Sequence, residues 1–294
     1  MKTKKMHQTY LLVMIAVIAI SLLSGCSSSK SAMGDSKKGI TLRYSFPENQ
    51  TLKYKTGSDI KQELDIFGQE MIIDIGQYIG YSTTLKAKSK DQNQIQVYID
   101  SMDLSISSPQ GDINPDMTSV SGKGFDMTLS SLGAGLDVSE AESIQYEVTP
   151  GVKRNVAMTF KFLFPRLPEK SLKIGDTWSM TDTIAEKYEN EEVTMIIEGE
   201  YVFAGFETIN GFECTRISSI ISGSRFGKAN QQGVDMVSDG TMTGSGTYFF
   251  AYKDGFLVKD ISSISVDGTL DIQSPQDGSF PMTFVIDNIT ELIK

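Results

Sequence analysis

Hydrophobic and polar positions alternate along much of this chain. From Thr41, the residues Leu42, Tyr44 and Phe46 fall on one side of an extended backbone, and Thr41, Arg43 and Ser45 on the other. That period of two is the mark of a half-buried strand. Leu52 and Tyr54 against Thr51, Lys53 and Lys55 repeat it, as do Ile95, Val97 and Ile99 against Gln96 and Asp100. Turn chemistry separates such runs: Asn210-Gly211 lies between Tyr201-Val202-Phe203 and Phe212-Glu213-Cys214, and Asp254-Gly255 between Tyr248-Phe249-Phe250 and Phe256-Leu257-Val258. Each dipeptide can supply the two positive-φ residues of a type I′ turn, whose twist suits antiparallel strands. A meander of hairpins is expected.

One stretch departs from alternation. Thr149-Pro150 offers an N-cap followed by a proline in the first helical position. Val152, Val156 and Phe160, with Met158 and Leu163, then recur at helical spacing until Pro165. The spacing predicts one amphipathic helix over 150–164, packed on the sheet.

The pattern also repeats. Pro47-Glu48 returns as Pro168-Glu169, and Met71-Ile72-Ile73-Asp74 as Met195-Ile196-Ile197-Glu198. Gly76-Gln77-Tyr78-Ile79 returns as Gly199-Glu200-Tyr201-Val202, and Gly122, Gly124 and Gly133 as Gly244, Gly246 and Gly255. Four blocks in one order imply a mainly β protein built of two related antiparallel meander halves, half-barrel or sandwich-like. The first is expected over 40–149 and the second over 165–294, joined through the helix. A period of roughly 120 residues is far longer than that of a solenoid unit.

The first residues obey a different pattern. Lys2, Lys4 and Lys5 precede an apolar run from Tyr10 to Leu23 that only Ser21 interrupts. The run is shorter than the about 20 residues needed to cross a hydrocarbon core, so residues 1–25 read as an export signal. Leu23-Ser24-Gly25-Cys26 follows and resembles the lipobox of bacterial lipoproteins. The resemblance implies cleavage before Cys26 and attachment of acyl chains, palmitate among them, to its sulfur. Each buried methylene adds about 0.8 kcal/mol, so several chains hold a soluble body to a membrane. In that family Ser27, rather than Asp, after the lipidated Cys implies passage to the outer membrane where the organism has one. Residues 26–39, rich in Ser and Lys, read as a flexible tether.

Charge narrows the partners. The net charge of −10 becomes more negative once the signal and its lysines are removed, which opposes binding to a phosphate backbone. Nucleic acid is not an expected partner. The chain has two cysteines; with Cys26 lipidated, Cys214 has no intramolecular disulfide partner and reads as a packed strand residue.

Candidate chemistry is sparse. His7, the single histidine, leaves with the signal, so neither a Ser-His-Asp triad nor an imidazole metal site is expected in the mature chain. Ser58-Asp59-Ile60-Lys61, preceded by Lys55-Thr56-Gly57, matches two motifs of penicillin-binding enzymes, but in reversed order and in a strand-rich setting. Asp112 with Asp116, and Asp267 with Asp271, lack the spacing of a calcium loop and read as turn residues. No catalytic residue, cofactor or metal site is expected.

The most specific local motif is Pro168-x-Lys170-x-Leu172-x-x-Gly175-Asp176-x-Trp178. It resembles one found in uncharacterised, domain-of-unknown-function families of exported lipoproteins, which implies fold and location without an activity. Gly175-Asp176 would make a tight turn, and Trp178 would bury a large ring. The functional expectation is a non-enzymatic envelope lipoprotein anchored through Cys26. A half-open barrel would hold a lipid or other hydrophobic ligand, with Met71, Met195, Met236 and Met242 as adaptable lining. The alternative is a structural or assembly lipoprotein that docks another envelope protein, and a hydrolase built only on carboxylates ranks last.

Overall fold

The computed structural model describes residues 39–188, 190–231, 233–273 and 277–293. Residues 1–38, where the export signal, the lipidated Cys26 and most of the tether are expected, lie outside the described residues. Five strands come first: β1 (Thr51–Ile66), β2 (Gln69–Lys88), β3 (Gln92–Ser107), β4 (Gly124–Ser130) and β5 (Gly135–Asp137). A 3-10 turn (Ser139–Ser143), a hairpin of β6 (Gln145–Thr149) and β7 (Val152–Asn155), and a short helix α1 (Ala157–Lys161) follow. Then come β8 (Thr177–Tyr188), β9 (Glu191–Ile209), β10 (Phe212–Gln231), β11 (Val234–Ala251), β12 (Phe256–Gln273) and β13 (Gly278–Ile293).

The strands outside the β6–β7 hairpin form a single sheet of eleven, in the order β5-β4-β3-β2-β1-β13-β12-β11-β10-β9-β8. Every pairing is antiparallel, and both stretches are meanders as expected. They join where β1 pairs with β13, from Lys53 opposite Ile293 to Leu64 opposite Met282. The join is sealed by a cross-strand row on the inner face: Ile75, Ile60, Ile286 and Ile264 lie opposite one another in turn and are all buried. Burying each such side chain stabilises by about 1.5–3 kcal/mol. The sheet also has to coil sharply. A Cβ on Gly223 would lie 2.0 Å from Ile196 O, and one on Gly268 2.0 Å from Asp239 O, so only glycine lets the backbones approach so closely. Closure stops short of a barrel, leaving β5 and β8 as edges.

The segment 39–46, the β6–β7 hairpin and α1 cover the inner face. Phe160 of α1 packs edge-on against Tyr81 and Phe125 at 5.5 and 5.0 Å, while Tyr44 meets Phe164 and Phe250 at 5.8 and 5.2 Å. Buried side chains from both meanders belong to one core.

Three local expectations are revised. Thr41–Phe46 buries Leu42, Tyr44 and Phe46 as the alternation requires, yet it is not a sheet strand. Ile40 bridges Leu172, and the amides of Tyr44 and Ser45 donate to Ser131 O and Gly255 O, both at 2.9 Å. The extended segment lies across strand-end turns, where it finds partners without a ladder. The helix is shorter than 150–164. Pro150 and Gly151, the latter at φ 86°, turn the β6–β7 hairpin, with Thr149 opposite Val152. A left-handed glycine cannot continue a helix, so the turn preference outweighs the apolar spacing. Asn155 Oδ1, not Thr149, accepts the Ala157 amide at the start of α1. Asn210-Gly211 makes the expected turn with φ of 52° and 83°. At Asp254-Gly255 only Gly255 has positive φ, and both amides point to Ala251 O, closing a four-residue loop.

The repeat takes a specific form. Met71–Asp74 and Met195–Glu198 both lie on the second strand of their meander, with Ile73 and Ile197 buried. Gly133 and Gly255 both sit in turns at positive φ, 88° and 84°. The Gly76–Ile79 block is displaced by one residue relative to this register, so Tyr78 faces solvent whereas Tyr201 is buried. A shift of one residue reverses every side chain on a strand.

Candidate functional site

The outer face of β1, β2, β3 and β13, with the loop after β3, forms a groove of about 590 Å³. Odd-numbered residues of β1 point into it because even-numbered ones face the core. Asp59, Lys61 and Glu63 line it from β1, Asp74 and Tyr78 from β2, and Val285 and Asp287 from β13. Asp112 comes from the loop, which is held against β3 by the Ile106–Ile113 bridge and by the Ser107 hydroxyl donating to Asp112 Oδ1 at 2.7 Å.

The Tyr78 ring lies over Gly57 and Gly76. A Cβ on Gly57 would come within 2.9 Å of that ring. Its hydroxyl donates to Asp59 Oδ1 at 2.5 Å, and this bond to a carboxylate raises the Tyr78 pKa above that of an ordinary phenol. On the other side of β1, Asp59 stands directly opposite Asp287. Like charges at such a position, with Cβ atoms about 5 Å apart, destabilise a sheet. Lys61, the one cation among the described residues that line the groove, pairs with Glu63. An exposed aromatic ring beside an opposed pair of carboxylates is suited to a cationic group.

A second cluster of carboxylates has the opposite character. Under the β6–β7 hairpin, Arg154 pairs with Glu191, both buried, and its guanidinium lies 4.1 Å from the centre of the Tyr188 ring. Tyr188 donates to Glu186 Oε2 at 2.9 Å, and buried Arg225 donates to Ser238 Oγ at 2.6 Å. Burial pushes Glu186 up to about 7, and the Tyr188 hydrogen bond only partly opposes it. Burial also raises Glu191 against the pull of Arg154 and Arg225, and lowers Arg225 to about 10. Both acids are buried; Glu191 is answered by Arg154, whereas Glu186 accepts the Tyr188 hydroxyl and holds its proton more readily than an exposed acid.

The residues singled out in the sequence fall as follows. Cys26 lies outside the described residues. Cys214 is buried and its thiol is pushed up to about 12 by desolvation, which keeps it protonated and unreactive. Ser58 faces the core and donates to Asn288 Oδ1 at 2.6 Å, whereas Lys61 is on the outer face. Strand geometry therefore separates the Ser-x-x-Lys pair. Asp116 accepts the Thr118 amide as a turn residue, but Asp267 and Asp271 lie within β12. The motif ending in Trp178 is structural: Leu172 bridges Ile40, Asp176 accepts the Lys173 amide, Gly175 turns at φ 91°, and Trp178 stacks on Tyr201 at 5.5 Å. Met195, Met236 and Met242 are core residues, and Met71 packs against that core. Among the described residues, no group of three or more His, Cys, Asp or Glu is placed to hold a metal ion, and no helix is long and apolar enough to cross a membrane.

No protein-family model and no curated protein matches the sequence. Among solved structures, the chain is similar to an exported protein with a YmcC-like fold from Bacteroides fragilis, at 11% identity over 86% of this chain and 100% of that one, with a TM-score of 0.26. It is also similar to the Pseudomonas aeruginosa protein OccK2 (OpdF), solved with glucuronate, at 7% identity over 85% and 100% of the two chains and a TM-score of 0.27. A DUF1329 family protein from Desulfovibrio piger follows, at 11% identity over 80% and 83% and a TM-score of 0.12. Similarity at this level carries no argument about function.

Proposed function

We propose that this chain is an exported, non-enzymatic envelope lipoprotein, anchored through Cys26, that docks a positively charged segment of another envelope protein in its outer groove. The observation that carries the reading is Asp59 directly opposite Asp287 on neighbouring strands, beside the exposed Tyr78 ring. A sheet gains nothing from opposed carboxylates, whereas a bound ammonium or guanidinium would neutralise both and stack on the ring. Phe160 of α1 packs edge-on against Tyr81 and Phe125 of the sheet, a contact that favours the docking alternative over the hydrophobic carrier.

The test is titration of the purified protein with a fluorescent peptide of alternating lysine and arginine, at low salt. Binding should weaken severalfold in Asp59→Asn, Asp287→Asn and Tyr78→Ala, and fall with added salt. Equal affinity in all three variants, or no binding to the unaltered protein, would refute the reading.

A further inference from the structure

The sheet has two edges, and the chain covers one of them. Where β4 no longer reaches, β3 is met by the loop that precedes β4. The Ile99 and Gly122 amides donate to Lys123 O and Ile99 O, both at 2.8 Å, the Met102 amide donates to Ser121 Oγ at 3.2 Å, and Ile106 exchanges two bonds with Ile113. The Asp126 amide of β4 donates to Glu140 Oε2 at 2.8 Å, and β5 beyond it has only three residues. Gly135 of β5 lies against α1, where an added Cβ would stand 2.7 Å from Lys161 O.

β8, at the other edge, is 12 residues long. Just before it, Phe203 of β9 turns its amide to Asp176 O and its carbonyl to the Gly175 amide. The even-numbered residues of β8 therefore bond to β9, and the amides and carbonyls of Thr177, Ser179, Thr181, Thr183 and Ala185 point outward. Thr177 O marks that direction by accepting the Lys170 ammonium at 2.6 Å. Among the described residues, the main-chain groups of Ser179, Thr181, Thr183 and Ala185 meet no partner, and all four side chains are exposed. Edges are ordinarily blunted by lysine, proline, a bulge or a covering segment. From Thr177 to Ala185 the pairing with β9 runs without a register shift, and the outward row is Thr, Ser, Thr, Thr and Ala. Asp182, on the inner side, is paired with Arg166.

We infer that β8 pairs antiparallel with β8 of a second copy of this chain, Thr181 lying opposite its own counterpart. In that register Ser179 faces Thr183 and Thr177 faces Ala185 on the outer side, while Met180 faces Asp182 and Trp178 faces Ile184 on the inner. Cross-strand Thr–Thr and Thr–Ser pairs stabilise such a ladder. A pairing centred one residue further on would set Asp182 against itself. Charge selects a copy of the chain over a charged partner strand. With a net charge of −10, two copies repel over most of their surface, and the uncharged row of β8 is where they can touch; a basic or acidic strand would find no counter-charge in it. The contact is also closed, since each β8 occupies the other and the symmetry adds no third chain.

The test is sedimentation of the full chain in detergent micelles, with two variants at the proposed axis. Thr181→Pro removes an amide that points outward and so leaves the ladder to β9 whole. Thr181→Lys keeps that amide and sets two like charges against each other. The parent should sediment as a dimer, and its dissociation constant should rise about tenfold or more in both variants, with the far-UV circular dichroism of the parent retained. If the proline variant loses that spectrum, the lysine variant decides. Cross-linking with a short bismaleimide checks the register. Thr181→Cys should be joined to its counterpart, whereas Thr177→Cys, about 27 Å from its own counterpart, should not. Cys214 is buried and does not compete for the reagent. A chain that stays monomeric, a dimer that the lysine variant leaves intact, or equal cross-linking from 177 and 181 overturns the inference. The outer groove on β1, β2 and β13 is untouched by these substitutions, so its peptide titration stands or falls separately.

Discussion

The molecule holds its carboxylates in two ways. Beneath the β6–β7 hairpin, Glu186 and Glu191 are buried with Arg154 and Arg225. In the outer groove, Asp59 and Asp287 oppose each other in the open, and Lys61, two residues along β1 from Asp59, is taken by Glu63. Inside, Glu191 is answered by Arg154, and Glu186, whose charged form burial disfavours, can keep its proton. Outside, water screens the repulsion, so the opposed pair can persist for a reason other than the fold. A buried cluster that is balanced reads as structure; an exposed cluster that is not reads as a site.

Removing a cation from the buried cluster is the most severe challenge to that comparison. Arg154→Met should lower unfolding free energy in urea at pH 8 by about 3–5 kcal/mol, the usual cost of stranding a buried partner charge. The loss should shrink as the pH falls and Glu191 takes up a proton. A loss below about 1 kcal/mol at pH 8 would show that the pair does not hold the hairpin, and that the interior resembles the groove.

Glu186 gives a smaller effect with a definite sign. Its folded pKa of about 7 lies above the ordinary 4.5, so between those values the folded chain keeps a proton that the unfolded chain has released, and stability falls with rising pH. Below about pH 4.5 both states are protonated and there is no penalty. Glu186→Gln should therefore match the unaltered protein near pH 4 and exceed it by about 2–3 kcal/mol at pH 8. Equal stability at both pH values would place Glu186 in contact with water.

Much of the fold was legible because β structure writes itself locally. Alternation marked β1 and β3, and Asn210-Gly211 marked the β9–β10 turn. The β1–β2 turn was hidden because Phe67 occupies a left-handed position, φ 54°, where a bulky residue is rare; its ring compensates by packing on Phe280 at 4.8 Å. The helix was overextended because Val152, Val156 and Phe160 fit a helical period by coincidence, while Pro150-Gly151 made the turn. The groove was illegible for a different reason. Asp59 and Asp287 come from strands at opposite ends of the chain, and only the β1–β13 register brings them face to face. The buried Arg154–Glu191 pair is likewise a product of tertiary contact. Its sole local hint was a charged residue within the apolar spacing assigned to the helix.

The finest discrimination between the two clusters comes from Asp287→Asn. Asp59 is less suitable for a stability measurement because its loss would also strand the Tyr78 hydroxyl. Replacing Asp287 removes one like charge from a directly opposed pair and leaves an amide able to donate to Asp59, so stability should rise by about 0.2–1 kcal/mol. The gain should vanish in about 0.5 M salt, where the screening length falls to a few ångströms. Affinity for the cationic peptide should move the other way, because the carboxylate that weakens the sheet is one that the peptide uses. Opposite signs in the two measurements distinguish a residue kept for binding from one kept for folding. A variant that is less stable than the parent at low salt would give Asp287 a structural role, and the outer groove would lose the observation on which its function rests.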